Sequence, residues 1–196
     1  SYTFSPVRWL RYKKWFGEQE KIHFQRMDKP VGFGCPSLEF NMVYVLLHIY
    51  RHVFHEGIGL RQLMDYYMVL RAVSKLGDDK FKLRESAMKI LEWFGLKRFA
   101  GAVMYVEQQV FGMKDDMLLC SPDIKAGRFL LNEIMRAGNF GKYDERVVKA
   151  HMGGTLSTYL GNVKRLSHMM KFFPSEVLWA PFWKVGHYAW RKAKGF

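Results

Sequence analysis

Apolar side chains recur at spacings of three and four along nearly the whole 196-residue chain, the period of helices that pack by one face. The punctuation between these runs is that of helix ends. Ser5-Pro6 reads as an N-cap followed by proline at the first helical position, and Gly17 is expected to close that helix. Residues 21–35 break the period and end in a Pro30, Gly32, Gly34 cluster, which predicts a small extended segment or hairpin. Ser37 then caps a helix over Leu38–His55. Further helices are predicted over Leu60–Leu76, Phe81–Phe94 and Lys97–Phe111, with Gly77 and Gly95 as breaks. Ser121-Pro122-Asp123 opens another helix, ending at Gly138. A longer one near Asp144–Met170 is interrupted at Gly153-Gly154, and Pro174-Ser175 starts the last. The connections are short. The pattern predicts an all-α antiparallel helical bundle of about seven helices. Residues 1–35 form an N-terminal helix and connector, and 36–196 the helical domain.

One helical hairpin is more polar at its turn than packing requires. In FNMVYVLLHIYRHVFHEGIGLRQLMDYYMVL, residues Phe40–Leu70, His48, His52 and His55 are spaced four and three apart and share a helix face. Glu56 ends the first helix, Gly57 and Gly59 make the turn, and Arg61, Gln62 and Asp65 lie early in the second. Together these seven polar residues form the candidate substrate-binding set. Arg61 in a first helical turn adds its cation to free N–H groups, an arrangement suited to a carboxylate or phosphate. An ion pair of Arg61 with Asp65 or Glu56 that only fixes the turn is the competing reading. His48 and His52 could supply two zinc ligands with Asp65 a third, but no HExxH is present, and a packed, hydrogen-bonded helix seam accounts for them equally. No residue is assigned as a metal ligand.

Charge changes the picture. The chain carries a net charge of +13, which points to an anionic partner: nucleotide, nucleic acid, phosphorylated sugar or lipid surface. Cys35 and Cys120, the only cysteines, lack metal-ligand spacing and fit a reduced, cytoplasmic protein. No apolar run is long enough to span a bilayer. In the segment FFPSEVLWAPFWKVGHYAWRKAKGF, Trp179, Trp183 and Trp190 fall on one helical stripe beside Lys184, Arg191, Lys192 and Lys194. Such a stripe can lie on a membrane or stack bases. Packing against the rest of the domain is the preferred expectation. Glu18 and Glu20 pair two carboxylates in polar surroundings, no two aspartates are separated by a single residue, and neither a P-loop nor a G-x-G-x-x-G is present. No catalytic residue is assigned.

The Phe40–Leu70 block, a histidine helix followed by a glycine turn and an Arg-Gln-Leu-x-Asp helix, resembles a family of uncharacterised bacterial nucleotidyltransferases found with surface-polysaccharide genes. FFPSEVLWAPFWKVGHYAWR resembles the closing segment of the same family. The resemblance implies a preceding polymerase-β-like catalytic domain, with a Gly-Ser turn and alternating carboxylates that hold Mg2+ and a nucleoside triphosphate. That pattern is absent from this sequence, so Ser1 is expected to lie just past the catalytic domain. The chain would be the helical C-terminal, acceptor-binding region, with the N-terminal catalytic domain and a small-molecule or anionic acceptor as its partners. By itself it would be inactive. The alternative is a non-enzymatic basic helical module that binds nucleic acid or an anionic membrane surface.

Overall fold

The computed structural model describes residues 5–24, 36–55, 57–137, 167, 169–175, 177–179, 182, 186 and 192. These contain six helices: α1 (Pro6–Phe24), α2 (Leu38–His55), α3 (Leu60–Ser74), α4 (Asp79–Trp93), α5 (Lys97–Phe111) and α6 (Ile124–Ala137), with a 3-10 turn at Asp115–Met117 before α6. Among the described residues there is no strand, and the fold is an all-α helical bundle.

Local chemistry sets most of the helix ends. The Ser37 hydroxyl accepts the Phe40 N–H at 3.2 Å and so caps α2. The Asp123 carboxylate accepts the Ala126 N–H at 2.9 Å and caps α6. Between α4 and α5, Gly95 takes the left-handed conformation at φ 72°, and the Leu96 N–H reaches back to the Leu91 carbonyl at 2.8 Å. A glycine there is what allows the reversal without steric cost.

α3 ends at Ser74 and α4 spans Asp79–Trp93, each within two residues of the expectation, and the larger difference is in α1. Gly17 does not close α1, which continues to Phe24, so residues 21–24 of the predicted extended segment are helical. Residues 25–35 lie outside the described ones. An interior glycine costs a helix only about 1 kcal/mol. Trp15, just before Gly17, is anchored in the core, and Glu18–Lys21 are good helix formers, so the helix runs through.

The core is built from the inward faces of the helices around α5, which is buried nearly all round. α2 contributes Leu46, Leu47, Ile49 and Tyr50, α3 contributes Leu63, Tyr66 and Leu70, and Phe99, Val103 and Val106 come from α5. Tyr66 sends its hydroxyl proton to the Met42 carbonyl at 3.1 Å, which ties α3 to the start of α2. The two helices therefore run antiparallel, as two apolar helical periods joined by a short glycine turn predict. α1 also opposes α2. Arg8 meets Tyr50, Phe16 meets Tyr44, and Trp15 stacks on Phe40 at 5.3 Å. Arg8 is buried. Its guanidinium donates to the Phe94 carbonyl at 2.9 Å, to the Tyr50 hydroxyl at 2.9 Å and to the Ser175 hydroxyl at 3.4 Å. One side chain thus joins α1, α2, the end of α4 and the C-terminal segment. That segment is further held by Met169, Phe173 and Val177, which are buried in the common core.

α5 and α6 approach most closely. The Asp123 N–H donates to the Gly101 carbonyl at 2.9 Å, and any Cβ at Gly127 would collide with the Tyr105 Cβ. Glycine at these positions sets the distance between the helices.

Candidate functional site

α2 has two faces. Met42, Val43, Leu46, Leu47, Tyr50, Val53 and Phe54 point inward, while Tyr44, His48, Arg51 and His52 come out on the other side. A period of 3.6 forces this division: residues four apart stack on one side, and the apolar ones already fill the other. The His48 and His52 rings meet edge to face with centroids 4.4 Å apart, and Tyr44 stacks on His48 at 6.2 Å. Phe40 stacks on Tyr44 at 5.2 Å and continues the column.

α1 supplies the other wall. Trp9, Tyr12 and Phe16 stack successively at 5.9 and 5.5 Å, and Phe16 reaches Tyr44 at 6.3 Å. Burial pushes the Tyr12 hydroxyl above its ordinary range, the nearby Tyr44 hydroxyl pushes it further, and Arg51 pulls it back. These three side chains therefore feel one another across the α1–α2 seam. The result is a stripe of Tyr12, Tyr44, His48, Arg51 and His52, half-buried except at His48, which is exposed. It offers ring faces, two imidazoles, two phenol hydroxyls and a guanidinium, a set able to bind an anionic or hydroxyl-rich ligand.

The residues expected from the sequence separate into groups. His48 and His52 come together. His55 is the last residue of α2, and Glu56 lies outside the described residues. The N–H of Gly57 donates to the His52 carbonyl at 2.8 Å, closing α2. Arg61 and Asp65 are both exposed on α3, and among the described residues neither is joined to the histidine pair by a hydrogen bond or ion pair. Gln62 accepts the Gly59 N–H at 3.1 Å and so caps the start of its own helix. Sequence reading missed Tyr12, Tyr44 and Arg51. For α2 the signal was present: Tyr44, His48 and His52 repeat every four residues, with Arg51 beside them. For Tyr12 it was not, because only the packing of α1 brings it alongside.

A second unassigned group is interior. Glu107 on α5 is fully buried, and among the described residues neither carboxyl oxygen has a hydrogen-bond partner. Burial raises its pKa from 4.5 to about 8, so the group is mostly neutral at pH 7. Tyr66, which faces it, is itself pushed well above its ordinary value, by burial first and then by Cys120 and Glu107.

Among the described residues, no group of three or more His, Cys, Asp or Glu side chains could hold a metal ion. Mg2+ requires a near-octahedral set of oxygens, usually carboxylates together with phosphate. Glu107 is buried and largely neutral and Asp65 stands on an exposed helix face, so these two carboxyls do not form such a set.

Fold and stripe together define an all-α bundle whose second helix carries its polar chemistry on the face turned from the core. A family model described as an uncharacterised nucleotidyltransferase matches residues 10–112, from the second turn of α1 to the glycine that ends α5, and the chain belongs to that family. The match takes in the whole stripe and stops short of residues 172–191. No curated protein matches the chain. No solved structure matches it either.

Proposed function

We propose that this chain is the acceptor-binding helical region of a nucleotidyltransferase, whose Mg2+ and nucleoside triphosphate are held by a catalytic domain outside it. The observation that carries the reading is the Tyr12, Tyr44, His48, Arg51, His52 stripe, which lies inside the family-matched span. Folding does not require that much polarity on one helix face, whereas holding an acceptor does. Arg51 would take an acidic group of the acceptor as a charge-assisted partner. The imidazoles of His48 and His52 would accept or donate hydrogen bonds at its hydroxyls, and the ring faces of Tyr12 and Tyr44 would carry its apolar side. Exposed Arg61, in the first turn of α3 beside the Gly59–Gln62 cap, adds a second anion-favouring point. His55, Glu56 and Asp65 stay in the proposed set as neighbours of that turn.

The test is amide NMR of the labelled chain titrated with glucose 1-phosphate, with inorganic phosphate as the minimal probe. Shifts should concentrate on α1 and α2, disappear in His48→Ala/His52→Ala, and depend only weakly on salt. Shifts on other helices would reject the stripe as the site. A steep loss of affinity with salt, measured with single-stranded oligonucleotides as ligand, would favour a nucleic-acid module instead. Incubation with labelled nucleoside triphosphates and Mg2+ should give no transfer by this chain, and turnover would place the catalytic site within it.

A further inference from the structure

The start of α1 and the C-terminal segment meet at an open cavity of about 350 Å3, lined by Ser5, Pro6, Ser175, Leu178, Trp179 and Phe182. The Arg8–Ser175 hydrogen bond holds the two pieces together on the inner side. On the outer side the same corner is apolar and exposed. Leu178 is 58% exposed and Phe182 70%, while Val7 and Leu10, one and four residues beyond Pro6 on α1, are 60% and 66% exposed. Two large exposed apolar side chains on the cavity's lining, and two more on the helix that begins there, are more than scattered surface hydrophobics require. Both segments are basic in sequence. On the first three turns of α1 Lys13 and Lys14 are exposed and there is no carboxylate, the first acids being Glu18 and Glu20 further along, while Arg8 is buried and Arg11 donates to the Trp93 carbonyl. Residues 171–196 hold Lys171, Lys184, Arg191, Lys192 and Lys194 against the single acid Glu176, and Lys171 and Lys192 are exposed.

We propose that this corner docks on an anionic lipid surface, with Leu10, Leu178 and Phe182 entering the acyl boundary and the lysines meeting the headgroups. A face of large apolar residues bordered by lysine is the composition of an interfacial membrane segment. Protein interfaces, by contrast, are depleted in lysine. Among the described residues no helix is long and apolar enough to cross a membrane, so attachment through this corner is to the surface. The corner is distinct from the histidine stripe, so membrane attachment and acceptor binding can fail independently.

Vesicle flotation tests it. The chain should float with vesicles of phosphatidylglycerol and phosphatidylcholine, remain unbound with phosphatidylcholine alone, and detach as salt rises. Leu10→Glu/Phe182→Glu should weaken binding at least about tenfold, since both residues face solvent and the substitutions remove the inserted groups. Unchanged helical circular dichroism and melting temperature would show that the variant folds. Lys13→Glu/Lys14→Glu should act in the same direction through charge, and His48→Ala should have no effect. Absence of binding to anionic vesicles overturns the proposal, as does full binding by Leu10→Glu/Phe182→Glu. A concentration-dependent dimer in sedimentation that the same double variant converts to monomer also overturns it, because the corner would then join two copies.

Discussion

α5 and α2 are both central helices, and they treat polarity in opposite ways. From Phe99 to Glu107 every residue of α5 except Tyr105 is buried, and the one charged type, Glu107, is kept mostly neutral by the lack of water and of partners. α2 buries an equally apolar face but turns Tyr44, His48, Arg51 and His52 outward, where they stack and interact. On α5 a polar group is a cost that packing tolerates. On α2 the polar groups lie on the side turned from the core, with Tyr44 packed against its edge. A helix enclosed on all sides has no spare face, and a helix with one side open does, so chemistry belongs on the second kind.

Substitutions should break this contrast in graded fashion. The largest effect is expected at Gly127. A side chain there would collide with the Cβ of Tyr105, an atom that cannot move without its helix, so Gly127→Val should cost about 3 kcal/mol or more by denaturant unfolding. A stable Gly127→Val protein would mean that α5 and α6 are less tightly apposed than described.

Glu107 comes next. Its folded pKa lies above its ordinary one, so the native state keeps a proton that the unfolded chain releases. Stability from this group is therefore fully present below about pH 4.5, is lost as pH rises toward 8, and is constant beyond. The slope in that window should reach about 1.4 kcal/mol per pH unit and should vanish in Glu107→Gln. Melting curves of both proteins from pH 5 to 9 measure it, and parallel curves would show that Glu107 ionises as freely in the fold as in water.

Tyr66→Phe removes the hydroxyl that bonds the Met42 carbonyl and should cost about 1 kcal/mol, with the two helices still paired through Leu63 and Leu70. The smallest effect on stability belongs to the stripe. His48→Ala and His52→Ala should each change unfolding free energy by less than about 0.5 kcal/mol while removing acceptor binding. A loss of 2 kcal/mol or more would mean that the histidines are part of the packing, and the contrast with α5 would collapse.

The helices were legible because their signals are local. An apolar period, Ser37 before α2, Asp123 before α6 and Gly95 between α4 and α5 act within a few residues of chain, and the sequence contains them. Gly17 misled because a breaker's weight depends on what anchors its neighbours, and Trp15 is anchored by packing against Phe40 and Phe94. The candidate site divides in the same way. The pairing of His48 with His52 follows from spacing along one helix, so sequence alone determined it. Whether Arg61 and Asp65 face that pair depends on how α3 rotates against α2, which Leu63, Tyr66 and Leu70 decide by turning inward and leaving the other two exposed. Tyr12 joins Tyr44 and Arg51 only because α1 folds back across α2, and Glu107 is driven toward neutrality only because other helices surround it. Sequence by itself determined the all-helical class, most helix boundaries, the histidine pair and the excess of positive charge. Tertiary structure decided which polar groups meet and which lose their water, because those outcomes depend on contacts between residues far apart in the chain.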